Sequence, residues 1–413
     1  MTVTPPAGID IRPATPDEMH AMLAAAERAF GEDLSAEMAT LESATLEADR
    51  TLAAFDGTTI VASSGIYSFE MTVPGGPTPV AGVTWVGVLP THRRRGILTT
   101  FMRRQLTELY DAGREPVAAL WASEAGIYSR FGYGLASRRM RMTVPSRLPY
   151  IPGSPAPQQV RMIPADEVRS ACQPVYEQLR VSRPGFVSRS PARWDVLLHD
   201  PEHDRQGASS LTAVALESGS GYVLYRTKTD FGSDGIPNGK ATPREIMATD
   251  AAGYAALWRY LLDLDLMGTI EAWNRPVDDP LQYLVADIRR LHGTVSDNLW
   301  VRIVDVDRAL SARTYSTADS LVIELLDGGC PWNAGRFRID VGTPDSPDVT
   351  VQRTDESADL TMSAVQLGAV YLGGTRLRDL AAAGLVDEHS AGSVLRADRL
   401  FAGAVEPWCP EVF

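Results

Sequence analysis

The run 86-VGVLPTHRRRGILTTFMRRQL-106 limits the choice of fold more than any other stretch of the chain. Before it, 82-GVTWVGV-88 is rich in β-branched and aromatic residues and predicts a strand, which Pro90 ends. After it, Ile97, Leu98, Phe101, Met102, Leu106 and Leu109 recur at helical spacing, and Ala112-Gly113 closes the helix. A helix start has backbone N–H groups without internal partners and carries the positive end of the helix dipole. Arg93, Arg94 and Arg95 add full charges there, and Gly96 lets the backbone approach a ligand closely. The combination predicts a phosphate-binding turn. The plainer reading is a solvated basic turn ahead of a surface helix.

The surrounding sequence supplies a unit for this turn. Residues 14–30 read as a helix with Thr15 as N-cap, Pro16 in the first turn and Asp17 and Glu18 at the positive end. Residues 51–73 read as strands turning at Asp56-Gly57, and 117–121 and 138–144 add two more. Helix, antiparallel strands, helix, strand is the order of an α/β or α+β unit of about 150 residues. Proline and glycine thicken over 145–157, which reads as a linker. A helix at 165–180, strands at 210–216, 222–227 and 244–249, a helix at 252–265 and a strand at 269–274 then repeat the first order. The chain therefore carries a diverged internal duplication whose second copy lacks the arginine turn. From residue 298 strands at 298–306, 320–326, 336–342 and 349–353 precede helices at 363–374 and 376–384, a small sheet covered by helices. The expected domains are 1–148, 149–296 and 297–413.

Composition excludes several functions. With 44% hydrophobic and 22% charged residues the chain is an ordinary globular protein, not a disordered or fibrous one. Its net charge of −13 argues against a nucleic-acid or anionic-membrane partner and favours cationic small molecules or basic peptides. Cys172, Cys330 and Cys409 form no CxxC pair, so neither a disulfide framework nor a zinc site is expected. His199 and His203 are separated by Pro201, which breaks the helix that would align them on a metal; no metal is expected. The start MTVTPPAGID has no basic or apolar leader, and no apolar run approaches the roughly 20 residues of a membrane span. A soluble, cytoplasmic protein is expected.

Arg93-Arg94-Arg95-Gly96-Ile97-Leu98 resembles motif A of the GCN5-related N-acetyltransferases: Gln or Arg, two variable residues, Gly, one variable residue, then Gly or Ala, between a strand and a helix. It departs at the end, where Leu98 replaces a small residue. Together, 90-PTHRRRGIL-98 and 122-ASEAGIYSRFGYG-134 resemble one branch, the Eis-type acetyltransferases, in which Leu or Ile is usual at that place. The resemblance is strong over residues 80–137, weaker over the two later units, and includes a chain ending in Phe. It implies two GNAT-like units in tandem followed by a sterol-carrier-like domain.

The resemblance also implies a site. Val86, Gly87 and Val88 would pair with the pantetheine amides of acetyl-CoA. Arg94, Arg95, Gly96, Ile97, Leu98 and Thr99 would hold its pyrophosphate, and Ser123 and Glu124 would line it. Tyr128 would be the general acid and the carboxylate of Phe413 the general base. An α-carboxylate has an intrinsic pKa near 3.5, poorly matched to an amine near 10, so burial beside an apolar ring is expected to raise it. The run 405-VEPWCPEVF-413 is apolar and carries two prolines, which predicts a docked tail rather than a frayed one. Tyr133 reads as structural. Glu32 and Asp33 are acceptor-site candidates or plain surface acids, and Trp85 a cavity wall or core residue. Cys409 has no histidine partner in sequence, so direct transfer without a covalent intermediate is expected. The implied acceptors are aminoglycosides and lysine side chains, and the implied assembly a homohexamer. A lipid-binding protein with a vestigial transferase, and an N-acyltransferase for longer chains, are the alternatives.

Overall fold

A computed structural model describes residues 5–343 and 348–413; the first four residues of MTVTPPAGID lie outside the described residues. The first sheet is built from β1 (Asp10–Arg12), β2 (Thr51–Asp56), β3 (Thr59–Val73), β4 (Gly76–Val88), β5 (Val117–Leu120) and β6 (Gly134–Leu135). Its helices are α1 (Met19–Phe30), α2 (Ala36–Ser43), α3 (Ile97–Ala112) and the single turn α4 (Ala125–Tyr128). α1 buries Met19, Met22, Leu23, Ala25, Ala26 and Ala29, and Gly31 ends it in the left-handed region at φ 83°. Its small residues let it lie close on β4: a Cβ on Gly87 would be 3.1 Å from the Ala26 Cα. α3 buries the stripe read from the sequence, including Ile97, Phe101, Met102, Leu106 and Leu109. β2 and β3 form the hairpin signalled by Asp56-Gly57, with Asp56 paired to Thr59.

Among the described residues seven strands make this sheet, in the order β1-β2-β3-β4-β5, then Trp300–Ile303, then β6. The second sheet also has seven strands, with Arg138–Pro145 between Thr294–Asp297 and Met267–Pro276. The third has five and belongs to the last part of the chain. Two strands thus join sheets other than those their place in the chain predicts. The stretch 138–144, read with the first unit, pairs in the second sheet, and Trp300–Ile303, read at the head of the third unit, pairs with β5 and β6 in the first. Each is strand-like by itself, but its partners lie far away in sequence, and local pattern carries no record of them.

Packing gathers the chain into two compact units. One takes the chain to Ser137, the segment Val187–Leu197 and everything from Asn298 onward; the other takes Arg138–Phe186 and Leu198–Asp297. Within the first, helix Ala364–Val370 presses backbone on backbone against the first sheet. A Cβ on Gly134 would sit 1.9 Å from the Val365 carbonyl oxygen, and one on Gly368 would sit 2.2 Å from that of Val301. Only glycine admits so close an approach. One hydrophobic core runs from Tyr67, Phe69 and Met71 of β3 through Val301 and Ile303 to Leu321, Phe337, Leu400 and Cys409. Among the described residues no helix is long and apolar enough to cross a membrane.

Candidate active site

The site begins where two parallel strands part. β4 and β5 pair at Val80↔Val117, Ala81↔Ala118 and Gly82↔Ala119 and no further. Three residues on, Trp85 adopts φ 53°, and the β3–β4 register shifts between Ser63 and Gly65. A bulge of this kind bends a strand and re-aims it. The β5-facing edge of Val86, Gly87 and Val88 is therefore left outside the sheet ladder. Gly87 is buried under α1.

At the end of β4 the chain turns through Pro90–His92 into α3. Arg94 and Gly96 both take the left-handed region, at φ 61° and 89°. Gly96 is the N-cap of α3 and supplies no side-chain cap, so the first N–H groups of the helix face outward without a protein acceptor of that kind. Arg94, Arg95 and Gly96 are exposed, Leu98 and Thr99 are half-buried, and Ile97 is buried. Leu98 packs its side chain on the core of the sheet, which explains why a large residue is tolerated at that place. Arg93 behaves differently from its neighbours. Its guanidinium donates to the Ala29 carbonyl at 2.8 Å and the Val88 carbonyl at 3.2 Å, and so ties the turn to α1 and β4. A cleft of about 400 Å³ extends along α3, lined by Thr99, Arg103, Ser129, Arg130, Gly132 and Val365 among others. Backbone donors at a helix head beside the exposed Arg94 and Arg95 fit a pyrophosphate-bearing ligand such as acetyl-CoA.

Ser123 and Glu124 are exposed and follow β5. Glu124 is the N-cap of the turn that carries Tyr128. Tyr128 is 5% exposed and packs edge-on to Tyr133, with ring centroids 6.0 Å apart. Burial, then the charge of Glu124, pushes its phenol up to about 12, against the opposing pull of Arg130. The hydroxyl stays protonated across the neutral range and is available as a donor. Tyr133 is fully buried, and its hydroxyl has no hydrogen-bond partner among the described residues.

The tail ends where β4 and β5 part. One carboxylate oxygen of Phe413 accepts a hydrogen bond from the Trp121 N–H at 3.3 Å, one residue beyond the end of β5. Its ring packs edge-on to Phe69, with centroids 5.1 Å apart, and lies over Gly82, whose added Cβ would be 3.4 Å from it. Gly82 is the last β4 residue of the ladder, so Phe413 stands at the point of divergence. The docking is built upstream: Cys409 exchanges hydrogen bonds with the Asn298 amide at 2.9 and 3.0 Å. Burial first, then Glu411, pushes the Cys409 thiol up to about 12, which leaves it inert at neutral pH.

Trp85 is half-buried, packed on two hydrophobic cores, and donates its indole N–H to the Tyr67 hydroxyl at 3.0 Å. Tyr67 in turn donates to Glu42 at 3.0 Å. Glu32 and Asp33 are exposed, between α1 and α2. The sequence reading missed their companions Glu27 on α1 and Glu42 on α2. The Glu27 carboxyl is pushed up by burial first and then by the charges of Glu32 and Glu42, so three carboxylates act on one locality. No local motif marks them, because they come from different helices. Glu411, Arg189 and Arg193 were missed because the arginines lie more than 200 positions from Glu411 in sequence.

Comparison with known proteins identifies the family and the fold. An acetyltransferase (GNAT) domain profile matches residues 10–136, a second such profile matches 185–303, and a sterol carrier protein domain profile matches 306–410. An uncharacterized N-acetyltransferase of Streptomyces avermitilis is 42% identical over 98% of this chain and 99% of its own. The N-acetyltransferase Eis of Mycobacterium tuberculosis is 34% identical over 95% of this chain and 96% of its own. An Eis crystal structure from Mycobacterium abscessus superposes with a TM-score of 0.81 at 34% identity, covering 98% of this chain and all of that one.

Proposed function

The chain belongs to the Eis family of GCN5-related N-acetyltransferases, and from that premise we propose that it acetylates amines of polycationic acceptors, aminoglycosides and lysine side chains, by direct transfer from acetyl-CoA. The observation that carries the reading is Phe413 docked where β4 and β5 diverge, its carboxylate held by Trp121 N–H. In this reading the free edge of Val86–Val88 aligns the pantetheine arm. The N–H groups at the head of α3, with Arg94 and Arg95, hold the pyrophosphate, and Ser123 and Glu124 border it.

The Phe413 carboxylate takes one proton from the ammonium, the freed amine forms the new C–N bond as the C–S bond breaks, and the second nitrogen proton passes to solvent, leaving the neutral amide and the CoA thiolate. Tyr128 donates a hydrogen bond to the departing sulfur. A phenol at about 12 does not surrender its proton outright to a thiolate whose acid has a pKa near 8.5. Its contribution is charge stabilisation by an oriented donor, with full proton transfer following from solvent. Glu27, Glu32, Glu42 and Asp33 supply negative charge suited to an acceptor with several ammonium groups. The same family membership extends the proposal to a homohexamer, which sedimentation reads directly.

The test measures CoA release with an aminoglycoside and with a lysine peptide. Tyr128→Phe and deletion of Phe413 are each expected to lower kcat about 100-fold or more, with acetyl-CoA affinity within roughly twofold. An unchanged rate removes that residue from the mechanism.

A further inference from the structure

Segment Val187–Leu197 lies, in sequence, within the span of the second unit, yet packs in the first. It is tied to β3: Val187 bridges Met71, the Ser188 N–H donates to the Glu70 carbonyl at 2.8 Å, and the Glu70 N–H donates to the Ser188 hydroxyl at 3.0 Å. From this anchor it sends two arginines to the tail. Arg189 donates through Nε to one oxygen of Glu411, and its guanidinium lies 4.6 Å from the centroid of the buried Trp194 ring. Arg193 donates through Nη2 to the other Glu411 oxygen at 3.1 Å and to the Val412 carbonyl at 3.3 Å. Its Nη1 faces the Tyr67 hydroxyl at 3.5 Å and Glu42 at 3.8 Å. Glu411 and both arginines are buried.

We infer that this segment is a clamp on the tail and that Arg193, seconded by Arg189, is a positioning residue for the Phe413 carboxylate. Arg193 grips the two residues just before Phe413 and joins them to the Tyr67–Glu42 wall. A buried ion pair is a poor source of net stability, because the desolvation of its charges cancels much of their attraction. What it gives is fixed geometry, and geometry is what a base needs: a misplacement of about 1 Å can cost 100-fold in rate. The inference rests on Phe413 acting as the base.

The test combines Arg193→Gln, Arg193→Lys and Glu411→Gln with deletion of Phe413, each variant confirmed folded by circular dichroism. Arg193→Gln and Glu411→Gln are expected to lower kcat by at least about tenfold, with KM for acetyl-CoA unchanged, and Arg193→Lys to lose less. In both neutralised variants the rate should follow the free-amine fraction and climb tenfold per pH unit from 7 toward about 10, steeper than the wild type. Added to the Phe413 deletion, neither should cost anything more. A purely structural role would leave the pH profile alone and multiply the losses. Should deletion of Phe413 cost activity while Arg193→Gln and Glu411→Gln keep the wild-type profile, the clamp falls and the base stands. A silent Phe413 deletion sinks the base reading and the clamp with it. If Arg193→Gln does not fold, the near-isosteric Glu411→Gln decides alone.

Discussion

The molecule contains the same strand-to-helix junction twice, with opposite chemistry at its head. In the first copy β4 pairs with β5 over three residue pairs, parts from it, and turns into α3 at Gly96 without a side-chain cap. In the second, Gly239–Ala248 pairs with Met267–Pro276 over three residue pairs, parts likewise, and leads into helix Ala251–Leu262. There the N-cap is Asp250, whose carboxylate accepts from the Gly253 N–H at 2.7 Å. That bond and the Ser220 hydroxyl hold the Asp250 carboxyl below its usual range. The same opening between strands is therefore kept in both copies, while the helix head is left uncapped only in the first, where the proposed pyrophosphate site lies. In the second copy the protein's own carboxylate occupies the place that a phosphate would take.

Writing the second copy's solution into the first should have the largest effect. Gly96→Asp places a carboxylate at the head of α3 in a left-handed position that Asp tolerates. The acetyl-CoA Kd, read by calorimetry, is expected to rise at least about 100-fold, whereas Gly96→Asn costs about tenfold. Wild-type affinity in Gly96→Asp would erase the contrast between the junctions. A smaller effect separates the three arginines. Arg94→Ala and Arg95→Ala should each weaken acetyl-CoA about tenfold in a salt-dependent way. Arg93→Ala should instead lower Tm, since its side chain braces Ala29 and Val88. The smallest effect is Asp250→Ala. It should cost about 1 kcal/mol in urea unfolding and leave kcat and the acetyl-CoA Kd unchanged.

What the sequence made legible was local. The β4–turn–α3 run and the hairpin at Asp56-Gly57 depend on residues within a few positions of one another, and they appear where read; the first helix read from Thr15 begins as α-helix only at Met19, after a 3-10 turn at Pro16–Glu18 that Thr15 caps. The chemistry that passed unseen is made between separate elements. Arg193 meets Glu411 and Trp121 meets Phe413 across hundreds of positions, and Glu27 on α1 feels Glu42 on α2 and Glu32 between them. Arg93 shows the limit inside a recognised motif: its composition reads as phosphate ligand, but its side chain is spent on backbone carbonyls. The strand at Trp300–Ile303 was visible as a strand, but its place between β5 and β6 was not.

That inserted strand sets a timetable for synthesis. During translation the ribosome releases β5 and β6 long before the segment that must lie between them, and both wait with unpaired edges until residues near 303 have emerged. The acetyl-CoA unit is then a late product of the growing chain rather than its first, and a fragment cut at residue 148 would hold two strand edges with nothing to join them.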